Sequence, residues 1–340
     1  MKKTIILFAV LVLIMASAAV CFSESAEEFY RTNQVTVIVN GGVGGGNDFC
    51  ARTVAAFWPE VTGGPPMKVQ VMTGGGGIEG MSYVAHAKPD GLTIADCSQM
   101  SDFMAAPLLG APGGEFGYKS FHFIGSFGHS SNAFLVAKDS PYNTVDDLLK
   151  AGASGKVIGA SQPGSGAAVI SMVAAEILGF KGKINFGYEV PELSLAAKRG
   201  EIIAYGAPSS VAFNDVKKGY SKVFAMMTLN RGGWFPDAPL IGDLVKLTPK
   251  DKSMLKFVKA LEDTKPFFTP LGVPQDRLDY LRKTFDKIMS MPAFVEKAKM
   301  RFAVWEKPLN AEETVTAIKE GIDLPADEVK LVRDLYPKYK

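Results

Sequence analysis

The segment VTVIVNGGVGGGNDFCARTVAAFW, residues 35–58, decides the fold. Its first five residues form a continuous apolar, β-branched run, the pattern of a strand buried on both faces. Its last ten place apolar residues at 50, 54, 57 and 58, one face of a helix, with Pro59 at the expected end. Between them GGVGGGND (41–48) holds five glycines in eight positions, and Asn47-Asp48 offers a helix N-cap. Glycine loses the most freedom on folding, so a linker is one reading of this density and a close-approach loop the other. The same order then repeats, as KVQVM (68–72), GGGG (74–77) and IEGMSYVAHA (78–87). Pro89-Asp90-Gly91 marks a turn, and LTIADC (92–97) reads as a third strand. Strand, glycine loop and helix written twice predict a parallel α/β architecture.

A second α/β region begins near residue 134. FLVAK reads as a strand, SPYNTVDDLLKAG (140–152) as a turn and helix, and KVIGAS (156–161) as a strand. QPGSG (162–166) is a third glycine-bearing loop, and the helix AAVISMVAAEILG (167–179) follows it. KINFGY (183–188) and EIIAYG (201–206) are expected strands flanking a helix at 191–199, and VFAMMT (223–228) is the expected return to the first region. The last hundred residues are helix-rich. No low-complexity linker divides the halves, so the chain is expected to cross between them more than once.

Composition narrows the function. Lys plus Arg number 37 against 35 for Asp plus Glu, in 340 residues of which 47% are hydrophobic. No basic run concentrates positive potential, which argues against a nucleic-acid partner. Met1-Lys2-Lys3 precedes an uncharged stretch at 5–22, and small residues follow at Ala16-Ser17-Ala18 and Ser23-Glu24-Ser25. This is the pattern of a cleaved export signal over 1–23, with an uncleaved membrane anchor as the alternative. Val20 before Cys21 disfavours lipid attachment. Export leaves Cys50 and Cys97, either as an oxidised pair or as two buried hydrophobes.

The chemistry of nucleotides and of hydrolysis fits poorly. A G-x-G-x-x-G fingerprint from Gly42 requires glycine where Asn47 stands, and from Gly44 where Phe49 stands. Gly128-His129-Ser130-Ser131-Asn132 and Gln162-Pro163-Gly164-Ser165-Gly166 each lack one glycine of a nucleophile elbow. The three histidines, His86, His122 and His129, have no metal-ligand spacing. No metal or cofactor is expected. Glycine loops ahead of helix N-termini do suit an anion, because first-turn N–H groups lack intrahelical acceptors and sit at the positive end of the helix dipole.

The order of these motifs resembles the Bug family of periplasmic solute-binding proteins, the receptors of tripartite tricarboxylate transporters. The resemblance rests on Val43-Gly44-Gly45-Gly46-Asn47-Asp48 before Ala51-Arg52, on Gly74 to Gly77, and on Pro89-Asp90-Gly91-Leu92-Thr93-Ile94. It continues through Ser161 to Gly166, Phe186-Gly187-Tyr188, Arg231 through Pro236-Asp237-Ala238-Pro239, and Pro270-Leu271-Gly272-Val273-Pro274. It implies a two-lobed, Venus-flytrap α/β fold, each lobe a mixed, mostly parallel sheet flanked by helices. The first lobe is expected at 27–132 and 232–340, the second at 133–231. It further implies a monomeric, non-enzymatic periplasmic receptor that closes on a small carboxylate and delivers it to two integral membrane permease subunits. A membrane sensor is the alternative destination, and a secreted serine hydrolase the alternative activity. By the same resemblance Gly44, Gly45, Gly46, Asn47, Asp48, Gly75, Gly76 and Gly77 form a carboxylate clamp. Ser161, Gly164, Ser165, Gly166, Tyr188 and Glu189 face it from the other lobe, and Ser98, Ser101 and Asp102 add side-chain contacts. Asp48 is expected to shape the loop rather than touch the anion, since like charges repel. The sequence departs from the family pattern at Asn40-Gly41, at Gln70 to Thr73, at Ala167 to Val169, at Glu189-Val190 and at Gly206.

Overall fold

The computed structural model describes residues 24–97, 116–128, 131–162, 165–230, 234–260, 265–301 and 308–339. The expected export signal therefore lies outside the described residues, and among them no helix is long and apolar enough to cross a membrane. In chain order the elements begin α1 (Ala26–Thr32), β1 (Thr36–Val39), α2 (Gly46–Thr62), β2 (Lys68–Val71), α3 (Ile78–Ala85), β3 (Thr93–Asp96) and β4 (Phe121–Ser126). They continue with β5 (Asn132–Ala137), α4 (Val145–Ala153), β6 (Ile158–Gly159), α5 (Gly166–Leu178), β7 (Ile184–Asn185), α6 (Val190–Lys198), β8 (Ala204–Pro208), α7 (Ser209–Lys217) and β9 (Ser221–Met226). They end with α8 (Ile241–Leu244), α9 (Pro249–Ala260), β10 (Pro266–Pro270), α10 (Gln275–Ser290), α11 (Pro292–Arg301), β11 (Leu309–Asn310), α12 (Ala311–Ile322), α13 (Ala326–Arg333) and α14 (Leu335–Tyr339).

Two mixed sheets result. The first has the order β11-β4-β10-β3-β1-β2, the second β7-β6-β8-β5-β9. Parallel pairing is confined to one part of each, β2-β1-β3 and β7-β6-β8, and the remaining pairs are antiparallel. Both faces of each sheet are covered, which explains the unbroken apolar runs. Val37 and Val39 of β1 point into a core with α2 and α10, whereas Ile38 joins the opposite core with α3. Phe134 and Val136 of β5 pack with α5, and Ala133 and Leu135 pack with α6 on the other side.

Several expectations change. The first glycine loop ends earlier than the Asn47-Asp48 cap implies, because α2 already starts at Gly46 with Gly45 as its N-cap. Pro59 does not stop that helix, which runs to Thr62 and closes on Gly63 in the left-handed region, φ 67°, with the Gly63 N–H bonded to Pro59 O. Residues 121–126 form a strand that their Phe-His-Phe-Ile-Gly-Ser sequence did not announce, and 209–217 form an unannounced helix. The segment expected to return to the first region instead pairs β9 with β5 at the edge of the second sheet. The crossing comes later. Residues 232–340 also divide between the sheets. β10 and β11 join the first sheet, while α9, α13 and α14 pack on the core around α5. Glu176 of α5 fixes that packing, accepting from Lys250 Nζ at 2.9 Å, from Lys338 Nζ and from Tyr339 Oη at 3.1 Å. Burial disfavours its charge, but the two lysines outweigh it and draw its pKa to about 2.

Gly206, one of the positions where the sequence departs from the resembled pattern, shows how closely α5 lies on β8. A Cβ there would meet Ile170 Cγ2 at 2.6 Å and Ser171 N at 2.7 Å, and its N–H donates to Ser171 Oγ at 2.8 Å. The departure is therefore a packing adaptation. Gly206→Ala should cost about 1–3 kcal/mol of stability by overpacking. Urea unfolding checks this, and an unchanged midpoint would contradict the close contact.

Candidate functional site

The strand directions gather the expected binding loops at one place. β1, β2 and β3 run parallel and end at Val39, Val71 and Asp96, and β4 ends at Ser126 opposite Pro266. In the second sheet β6, β7 and β8 end at Gly159, Asn185 and Pro208, and Asn132 at the start of β5 pairs with Pro208. Residues 127–131 run from Ser126 of one edge to Asn132 of the other, so the carboxyl-terminal edges of the two sheets are joined. Open α/β sheets place ligands at such edges.

The first loop is braced by its own helix. Gly45 N–H donates to Gly42 O at 3.0 Å, closing a turn whose third residue, Gly44, has φ 76°. Asp48, in the first turn of α2 and only 4% exposed, accepts from Gly44 N–H at 2.9 Å and from Arg52 Nε at 2.8 Å. Burial opposes the Asp48 charge, but these hydrogen bonds outweigh it and hold its carboxyl below the ordinary aspartate range. Asp48 thus shapes the loop. Val43 stands at the loop's tip, 76% exposed.

The second loop, Gly74–Gly77, is a single 3₁₀ turn that leads directly into α3. Gly77 adopts φ 96°, and a Cβ there would lie 3.0 Å from the Asn40 side chain. Asn40 is buried, donates from Nδ2 to Cys97 Sγ at 3.0 Å, and ties the ends of β1 and β3 beside both glycine loops. Both cysteines are buried. Asn47 is buried too and donates to Asp96 Oδ1 at 3.0 Å, so it holds α2 to the end of β3. Lys265, immediately before β10, closes this side. A Cβ on Gly46 would sit 3.4 Å from Lys265 Cε and 3.6 Å from its Nζ.

From the second sheet, Ser165 caps α5 by accepting from Ala168 N–H at 3.2 Å, and its hydroxyl is hydrogen-bonded to that of Ser161. Gly166 opens the helix. The next loop is stitched alongside, with Gly187 N–H on Ser161 O at 3.4 Å and Tyr188 N–H on Ala160 O at 3.3 Å. Tyr188 is half-buried against the core that contains Leu193, and its hydroxyl accepts from Asn185 Nδ2 at 3.2 Å. Glu189 is exposed at the start of α6.

The geometry accordingly groups Gly44 to Asp48 with Gly75 to Gly77 at one edge, and Ser161, Ser165, Gly166, Tyr188 and Glu189 at the other. Ser98, Ser101, Asp102 and Gly164 lie outside the described residues. Asp96 and Lys265 escaped the sequence reading, because one closes an ordinary strand and the other precedes one. The left-handed backbone of Lys265, φ 30°, has no signature in its side chain.

Asp48→Asn should destabilise the fold by about 1–2 kcal/mol at neutral pH, as the charge-assisted bonds to Gly44 and Arg52 weaken. The depressed pKa sets the sign. The wild-type advantage is full above the unfolded aspartate value of about 4 and fades as the pH falls through the lower folded value. Unfolding curves at pH 7 and pH 3 check this, and a difference that grows on acidification would contradict it.

Comparisons place this geometry among known proteins. The profile of the family described as "Tripartite tricarboxylate transporter family receptor" matches residues 51–323. No curated protein sequence matches the chain. Among solved structures, Rpa4515 of Rhodopseudomonas palustris with adipate superposes with a TM-score of 0.70 at 18% identity, covering 88% of this chain and 97% of that one. MatC (Rpa3494) of R. palustris with bound malate gives 0.68 at 18%, covering 88% and 98%. The periplasmic binding protein BugD gives 0.68 at 20%, covering 89% and 97%. The mixed two-sheet architecture is thus that of two-lobed periplasmic binding proteins, and the chain belongs to the tripartite tricarboxylate transporter receptor family, whose members bind solutes rather than transform them.

Proposed function

We propose that this receptor captures a small organic acid in a cleft between two lobes and holds its carboxylate mainly by the backbone N–H groups of the glycine loops. The observation that supports the reading is that three glycine-bearing loops, each ahead of a helix, follow the carboxyl-terminal ends of strands in two sheets that the chain connects at those same edges. In the first lobe the first-turn amides of α2 and the amides of the 74–77 turn supply donors, and the absence of Cβ atoms lets a carboxylate approach them. In the second lobe Ser161, Ser165, Gly166, Tyr188 and Glu189 contact the remainder of the ligand, joined by Gly164. Ser98, Ser101 and Asp102 complete the first-lobe side.

The first lobe is built on the sheet containing β1, from residues 27–132 together with β10 to α12. The second comprises 133–231, with α9, α13 and α14 attached. Contacts made to both lobes only when they approach would drive closure. The chain acts in the periplasm as a monomer after removal of residues 1–23, and delivers its cargo to two integral membrane permease subunits. The adipate and malate carried by two structural neighbours support a carboxylate ligand here.

Titration calorimetry with mono-, di- and tricarboxylates and aromatic acids should give saturable binding to at least one member, and binding to none would overturn the reading. Gly45→Val tests the clamp separately. A Cβ there would lie 2.9 Å from Gly42 O, so the turn must shift and the amides beside it move. Affinity should fall about 100-fold, as for the loss of two contacts to a charged group, with the melting temperature nearly kept. Undiminished affinity would remove the backbone clamp while leaving the receptor intact.

A further inference from the structure

Lys265 stands out among the side chains around the clamp. It is 6% exposed, and lysine is rarely buried so deeply. Among the described residues it is the one non-glycine residue in the left-handed region, at φ 30°, a conformation unfavourable for an L-residue. Strain of this kind collects at functional sites. Its carbonyl accepts from Phe127 N–H at 3.2 Å, so its backbone sits where two connecting segments between the sheets touch. Its ammonium reaches the first turn of α2, with Nζ 3.6 Å from where a Gly46 Cβ would be. Gly46 gives this side chain its space.

Two sources of positive potential therefore converge on one point. The first is the partial charge at the N-terminus of the 17-residue helix α2, and the second is the full charge of Lys265. An anion placed there is attracted by both, while the carboxylate of Asp48 in the same first turn is already engaged by Gly44 N–H and Arg52. We infer that Lys265 is a specificity-determining residue of the clamp, supplying a full positive charge to the bound carboxylate and selecting ionised acids over neutral molecules of the same shape. The inference rests on the carboxylate-receptor reading above. It changes the character of the site, since backbone amides alone also accept amides and esters as hydrogen-bond partners, whereas an ammonium in low dielectric discriminates by charge. Lys265 also belongs to the connection between the sheets, so the anion is held at the point about which they are joined.

The test uses the full mature chain and six probes: acetate, benzoate, succinate, L-malate, adipate and citrate. Lys265→Met keeps the aliphatic stem and removes the charge. Each probe bound by the wild type should bind Lys265→Met about 30-fold or more weakly, the loss of one charge-assisted contact, and its affinity should become less sensitive to salt. Equal affinity and equal salt dependence would overturn the role of Lys265 while leaving the carboxylate receptor standing. Failure of the wild type to bind any probe would overturn both. If Lys265→Met does not fold, the wild type decides. Its Lys265 ammonium resonance, assigned by its loss in Lys265→Arg, should move on saturation with a bound probe, and an unmoved resonance would overturn the inference.

Discussion

The hydrogen bond from Phe127 N–H to Lys265 O, 3.2 Å long, joins two of the segments that pass between the sheets. It extends the β4–β10 ladder by one residue at the carboxyl-terminal edge of the first sheet, the edge from which the chain leads on to Asn132 at the start of β5. Loop placement depends on the chain leaving the first sheet at this edge and entering the second at Asn132, beside Pro208. Were the sheets joined at their opposite edges, the same glycine loops would open to solvent on two unrelated surfaces. Instead Gly44 to Asp48, Gly74 to Gly77, and Ser161, Ser165 and Gly166 all belong to the edges that the chain connects. Sheet topology, rather than any one motif, turns three ordinary strand-to-helix turns into a candidate site.

Within that frame, side chains hold the loops and backbone presents them. Asp48 and Arg52 brace the first loop, Asn47 fastens it to Asp96, and Asn40 links the strand ends through Cys97. Asn40 is informative because it stands where the sequence departs from the resembled pattern. Here the residue is buried against Gly77, and its side-chain amide ties the ends of β1 and β3. Gly206 makes the complementary point in the second sheet, where losing a side chain lets α5 settle onto β8. Both departures serve packing around the loops.

Much of this was legible in the sequence because it is local. Apolar runs gave β1, β2 and β3, the 162–166 loop and Gly179 bounded α5 to within a residue, and the repeated strand–glycine–helix order gave the parallel units of the α/β class. Non-local features were not legible. Phe121 to Ser126 becomes a strand by pairing with β10 and β11, segments far away in sequence. Pro59 sits inside α2 because the helix packs on both the sheet and α10, and tertiary burial outweighs one lost backbone bond. The split of the C-terminal helices follows from Glu176 meeting Lys250 and Lys338, contacts that no periodicity encodes. At the proposed site, glycine spacing marked the loops, but Lys265 looked like any surface lysine.

The left-handed glycines at 44 and 77 also limit how such a receptor can diversify. Nearly every replacement at these two positions brings a Cβ into an unfavourable conformation, and at Gly77 also into Asn40. The backbone half of the proposed clamp is therefore close to immutable by single substitution. In the proposed site, new preferences must arise at neighbouring positions that carry side chains, and Tyr188, Glu189 and Lys265 are where drift in this chain can change what it selects without dismantling the loops.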